Sequence, residues 1–332
     1  MRDPSGNAAT AAVGTSAYTR RMPTGGRRRI LTTAEGTRSG SFGVVEWGLF
    51  IFCGLVWGGS FLLIAISADH FASAVVAFIR VALGALIVAV APGAWAKVDS
   101  RDMPRIILVA AIWMSLPFVL FPWAERSVAS SVAGMINAGL PVFTATIAAL
   151  LLRRAPRRIQ VAGLIIGFIG VALIAIPSLS HSRSSALGVL ALVIAVLCYA
   201  IGVNLTIPLQ QRYGTLPPLA RIELFASVML LPFALFGLRT STFAWSALIA
   251  NVLLGVLATG AAFLAMFTLM GRVGATRSSA VTYLFPVVAL TLGVVFRDEP
   301  LHAIAVLGAG LVLVGAWLVS RTEHDSVSAP ID

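Results

Sequence analysis

The chain has 332 residues, 58% of them hydrophobic and 11% charged, with a mean hydropathy of +0.95 and a formal net charge of +11. A soluble domain carries about a quarter charged residues, so this composition excludes a water-soluble fold, and the lack of alternating apolar segments excludes a barrel in favour of helices that satisfy their own backbone. Cys53 and Cys198 fall in apolar runs with no Cys/His spacing of a metal site, and the basic residues flank apolar runs, so neither a metal cofactor nor nucleic acid is expected.

Residues 1–42 are rich in Gly, Ser, Thr, Ala and Arg, with seven of the 23 arginines: Arg2, Arg20, Arg21, Arg27, Arg28, Arg29 and Arg38. That composition predicts a disordered basic tail without the apolar core of a cleaved signal peptide, a transit peptide or a true start at Met22 being the alternatives. From Trp47 onward, ten apolar runs follow at about 47–66, 71–91, 104–123, 128–152, 159–176, 187–207, 218–238, 245–269, 275–296 and 301–320. Each approaches the ~20 residues that a helix needs to cross the hydrocarbon core. The polar stretch 177–186 divides them five and five, giving a first repeat over 43–177, a second over 187–320 and a short tail over 321–332.

The two halves carry the same landmarks. Pro141 and Pro286 are 145 residues apart, as are Gly163 and Gly308, and Gly170 and Gly315. Five helices per half require the halves to be inverted, so the expected fold is an all-α integral membrane protein of ten transmembrane helices in two inverted five-helix repeats, with its site at the repeat interface. Charge gives the orientation: outside the tail, 11 basic residues flank the side bearing both termini, against 4 on the other (Arg126, Arg183, Arg239, Arg297). Both termini are therefore expected in the cytoplasm. The equivalent turns agree, Arg153-Arg154-Ala155-Pro156-Arg157-Arg158 in one half and Arg297-Asp298-Glu299-Pro300-Leu301-His302 in the other.

Trp57-Gly58-Gly59-Ser60-Phe61 at the end of helix 1, Phe78-Ile79-Arg80 in helix 2, a proline in each fourth helix, and Asp298-Glu299-Pro300-Leu301 before Gly308 and Gly315 resemble the EamA-type branch of the drug/metabolite transporter superfamily. The resemblance spans about residues 47–320 and departs at Asp298, where Gly is usual, and at Arg153-Arg154, where Glu is often found. It implies a ten-helix secondary transporter in the cell membrane, working by alternating access on small organic metabolites or drugs, commonly outward. The alternatives are a flippase for lipids or lipid-linked precursors and a membrane-embedded transferase. His70, His181, His302 and His324 are scattered and no nucleotide-binding loop is present, which speaks against an enzyme or an ATP-driven pump.

Candidate site residues follow from polarity inside apolar helices. A proline removes a backbone donor and frees the carbonyl four residues earlier, those of Asn137 and Thr282 here. Asn137, Thr282 and Tyr283 are thus candidates to line the substrate path, with a kinked packing helix at Pro141 and Pro286 as the alternative. Arg80 lies mid-helix, where a charge costs about 2.5–3.5 kcal/mol on insertion scales, so it is a candidate to meet an anionic substrate, with a structural cation held by an acid, carbonyls or a wet cavity as the alternative. Glu223 in the equivalent helix 7 is its candidate partner, and Arg221 lies beside it as another member of an ion pair. Trp57 and Tyr199 fall in corresponding helices and, with Asn204 and Trp113, are candidates for an aromatic-walled cavity. Gly163, Gly167, Gly308 and Gly315 suit close helix packing, with a homodimer through helices 5 and 10 as the alternative.

Overall fold

Apolar runs of this length find no hydrogen-bond partners in lipid tails, so each closes into a helix. The computed structural model describes residues 30–38, 40–124, 127–128, 133, 136–179, 185–297 and 302–321. The tail before residue 30, Arg126, Arg183, the Asp298-Glu299 turn and residues 322–332 lie outside the described residues. Helix α1 is Val44–Ala68, α2 Ser73–Ala89, α3 Ser100–Ala124, α4 Leu140–Leu152 and α5 Arg158–Leu179. Then come α6 Ala186–Tyr213, α7 Leu216–Thr240, α8 Trp245–Val273, α9 in three contiguous pieces (Ala275–Ser279, Ala280–Tyr283, Leu284–Arg297), and α10 Ala303–Ser320. No strand occurs among the described residues. Helices α3, α6, α7, α8 and α10 are long and apolar enough to cross a membrane, and Val44–Ser60, Ser73–Ala89, Leu140–Leu152 and Arg158–Ile174 are shorter apolar helices.

The fourth apolar run differs from the continuous helix expected over 128–152. Residues 136–137 are helical, 138–139 form a turn, and a new helix starts at Leu140. Pro141 therefore occupies a first turn, where the N–H it lacks has no intrahelical partner to lose. The second half solves the same problem with a 3-10 segment at Ala280–Tyr283, after which Pro286 is the third residue of Leu284–Arg297. Thr282 does not present a freed carbonyl: its C=O accepts from the N–H of Leu284.

Helices α5 and α10 cross through their glycines. A Cβ on Gly163 would stand 2.8 Å from the carbonyl oxygen of Gly315, and one on Gly170 would stand 2.6 Å from that of Gly308. As numbering rises along α5 it falls along α10, so the helices run antiparallel. Because Gly163 matches Gly308 and Gly170 matches Gly315, the two contacts exchange under a two-fold rotation, the signature of a self-complementary interface. This glycine face packs α5 against α10 within one chain. The π-helical segments fall within one residue of that register: Ala110–Ser115 in α3 and Leu254–Ala261 in α8 begin 144 residues apart.

Residues 30–38 and 40–42 also depart from the uniform tail expected up to residue 42. They form a strap across the basic ends of the helices. Arg105 Nε donates to Ile30 O at 2.9 Å, Gln211 Nε2 to Glu35 O at 2.7 Å, the Arg38 N–H to Arg272 O at 2.8 Å, and Arg277 to Gly40 O at 2.9 Å. Composition missed this because polar strap residues bond backbone and arginines rather than burying apolar area.

Candidate functional site

A cavity of about 160 Å³ lies between α1, α2, α3, α4, α6, α8 and α9. Its walls come in equivalent pairs 145 residues apart: Phe118 with Phe263, Phe121 with Met266, Asn137 with Thr282, Leu140 with Phe285. Phe118 and Phe263 meet edge to face, 6.2 Å between centroids. The cavity thus draws matching positions from both halves, and breaks in the helices at 138–139 and 280–283 bring Asn137 and Thr282 to it. Thr282 Oγ1 donates back to Ser279 O at 3.0 Å.

Among the described residues, charge enters from one half only. Arg80 on α2 is 9% exposed, donates from Nε to Thr259 Oγ1 at 3.2 Å, and lays its guanidinium 4.3 Å from the centroid of the Phe118 ring. Thr259 sits in the π segment of α8 and donates onward to Leu254 O at 3.2 Å, a register five residues back. Among the described residues, no carboxylate lines the cavity. The expected pairing with Glu223 is not formed: Glu223 is fully buried and neither carboxylate oxygen has a hydrogen-bond partner. Arg221 is not its partner either, since it donates to Pro217 O at 2.8 Å, Ala94 O at 3.3 Å and Ala96 O at 3.1 Å. At the basic end of α7, an arginine reaches the exposed carbonyls of the α2–α3 turn more readily than a carboxylate on the opposite side of its own helix.

Aromatic rings complete the wall. Trp57 donates from Nε1 to Ala258 O at 2.7 Å and meets Phe263 edge to face at 5.3 Å. Trp113, in the π segment of α3, meets Phe263 at 5.0 Å, and Tyr199 lies 5.9 Å from Phe121. Two candidates are elsewhere. Tyr283 is fully buried against Gly167 and donates from its hydroxyl to Leu164 O at 2.8 Å, holding α9 to α5. Asn204 is fully buried and donates to Thr144 O at 3.1 Å and to Ala200 O at 2.9 Å, joining α6 to α4. Both act as interhelical hydrogen bonds. Phe118, Phe263, Phe285 and Thr259 were not anticipated, although the repeat spacing alone links Phe118 to Phe263.

The cavity's outer part reaches Ile64 near the end of α1, Ser73 at the start of α2 and Pro122 near the end of α3. The opposite, basic end is tied shut. Asp102 pairs with Arg212 and accepts from the Tyr213 hydroxyl at 2.5 Å, joining α3 to α6. Glu46, fully buried, accepts from Arg272 at 2.5 Å and pairs with Arg38 at 3.3 Å, joining α1, α8 and the strap.

A model of the EamA-like transporter family matches residues 46–176 and again 186–321. A probable terminal-alkyne amino-acid exporter of Streptantibioticus cattleyicolor is 30% identical over 80% of this chain and 90% of its own length. An uncharacterized transporter of Archaeoglobus fulgidus is 26% identical over 83% of this chain and 99% of its own. A solved structure, described only as the crystal structure of a protein, aligns with TM-score 0.66 at 16% identity, covering 82% of this chain and 95% of that one.

Proposed function

Because the chain belongs to the EamA-like transporter family and is a multi-pass membrane protein, we propose that it exports small organic solutes by alternating access, as ten spans in two inverted repeats with both termini in the cytoplasm. The observation that carries this reading is the cavity: walls drawn in equivalent pairs from both halves, and, among the described residues, one guanidinium with no lining carboxylate. Such a site suits a solute with an apolar or aromatic body and a carboxylate or phosphate that Arg80 grips. The Asp102–Arg212 and Glu46–Arg272 pairs would then form the closed cytoplasmic gate, and the Ile64–Ser73–Pro122 side the route outward. Export is supported by the name of the Streptantibioticus relative. No cofactor and no enzymatic step enter this reading. Comparing metabolites in medium and cytosol, with and without overexpression, tests it and identifies the solute; unchanged profiles would remove the export assignment.

Two expected outcomes test the arrangement. Reporter fusions after residues 97 and 155 should behave as cytoplasmic and those after 69 and 183 as external; a cytoplasmic reading after 183 would break the inverted repeat. Cysteines replacing Asn137 or Thr282 should react with a small polar thiol reagent and be protected by the exported solute, because both line the cavity. Cysteines replacing Asn204 or Tyr283, both fully buried away from it, should stay unreactive. The reverse pattern would place the path elsewhere.

A further inference from the structure

A second hollow opens on the outside of the bundle, sharing no residue with the cavity. It is a groove of about 460 Å³ between α4 and α5. Its floor is small (Ala145, Ala149) and its rims are apolar and turned outward, with Leu150 72% and Ile165 54% exposed. Such surfaces face acyl chains in a bilayer.

The mouth of the groove is basic. Arg153 and Arg154 line it at the turn between the two helices, and Arg157 and Arg158 follow, four arginines in six residues. Arg153 holds φ +56° as the C-cap of α4, the only positive-φ residue other than glycine among the described residues. That position ordinarily takes glycine or asparagine, so a guanidinium is held here against backbone preference. Arg153 has no ion pair or hydrogen bond among the described residues. Among the described residues, the Arg154 side chain meets Glu35 alone, at 3.1 Å, with side chains 76% and 63% exposed. An exposed pair of this kind is weak and leaves the mouth strongly positive.

We propose that this groove is a binding site for one anionic glycerophospholipid of the leaflet at the basic end. An acyl chain lies along Leu150, Ala149 and Ile165, and the headgroup phosphate sits between Arg153 and Arg154. The fit combines an apolar slot opening to lipid with arginines at headgroup depth, and a planar guanidinium matches a phosphate in two hydrogen bonds. The equivalent turn of the other half carries Asp298 and Glu299 in sequence, so the charge complementarity is specific to this half.

The test uses the full chain, purified in neutral detergent, with phosphatidylglycerol or phosphatidylcholine added, read by native mass spectrometry and thermal unfolding. One phosphatidylglycerol should remain bound and raise the unfolding temperature, whereas phosphatidylcholine should do neither. The double variant Arg153→Gln/Arg154→Gln should weaken phosphatidylglycerol binding by about 30-fold, at roughly a fivefold loss per arginine. Ala149→Phe, which fills the slot without touching charge, should weaken it as well. The control Lys97→Gln/Arg101→Gln, two exposed basic residues at the same end, should bind like the parent. Equal binding of the two lipids, retention in the arginine double variant, or equal loss in the control would overturn the proposal. Gel filtration of each variant separates loss of lipid from loss of fold. None of these readouts depends on transport, so they stand or fall apart from the export reading.

Discussion

Replacing Gly170 by leucine will leave little folded protein, and Gly170→Ala will lower thermal stability. A Cβ at this position would sit 2.6 Å from Gly308 O and 2.7 Å from Val312 N, both backbone atoms of α10. Backbone cannot rotate aside as a side chain does, so α5 and α10 must separate. In a bilayer the separated helices lose close van der Waals contact and gain no hydrophobic drive to re-form it. Overpacking of this kind costs about 1–3 kcal/mol, and more where backbone must move, which is a large share of a typical total stability. Gly310 lies on the same helix with nothing within 4 Å of its would-be Cβ. Gly310→Leu is therefore the control and should be neutral. Size-exclusion profiles and unfolding temperatures of the three variants give the answer; a Gly170→Leu protein as monodisperse and stable as Gly310→Leu would mean that the glycine crossing does not hold the halves together.

That crossing was legible in the sequence as spacing, because a register of 145 residues survives whatever the side chains do. Most helices were legible as well, since in lipid the length of an apolar run decides its structure, but the break at 138–139 that starts α4 at Leu140 and the extension of α6 to Tyr213 were not. Facing was not. When a helix has lipid on one side and apolar neighbours on the other, hydrophobic periodicity says nothing about which side a residue takes. Thr282 and Tyr283 are adjacent, yet one lines the cavity and the other bonds Leu164 on α5, because successive residues in a 3-10 segment point about 120° apart. Asn204 shows the same ambiguity: an amide in an apolar helix reads equally as ligand or as interhelical hydrogen bond, and here it bonds α4. The pairing of Arg80 with Glu223 failed for a different reason. Equivalent helices suggested proximity, but an arginine reaches a hydroxyl and an aromatic face as readily as a carboxylate, and it takes Thr259 and Phe118. The strap was hidden because backbone carbonyls make its bonds, its own accepting from Arg105, Gln211 and Arg277 and that of Arg272 accepting from Arg38, and no side-chain pattern announces a carbonyl.

Arg80→Gln should abolish most transport while leaving the fold intact. The structural half of this expectation follows from what Arg80 touches. Removing a buried cation is severe when it orphans a buried acid, but the partner here is Thr259 Oγ1, which keeps its own bond to Leu254 O. The loss of the Phe118 contact, 4.3 Å from guanidinium to ring centroid, is modest by comparison. Yield and unfolding temperature should therefore stay near those of the parent, and Glu223→Gln should not rescue or worsen the variant, since the two side chains are not bonded. The functional half follows from desolvation. A carboxylate or phosphate drawn into this cavity has, among the described residues, one cation to meet, and losing a buried charged contact costs about 2–5 kcal/mol, or roughly 30-fold and upward in transport at low solute concentration. Arg80→Lys keeps the charge but not the planar pair of donors, and should sit between, down by about tenfold. The measurement is transport, per folded molecule, of the solute that the metabolite comparison identifies. Parent-level efflux in both variants would take Arg80 out of the solute site; reduced yield in Arg80→Gln that Glu223→Gln restores would return it to a structural ion pair.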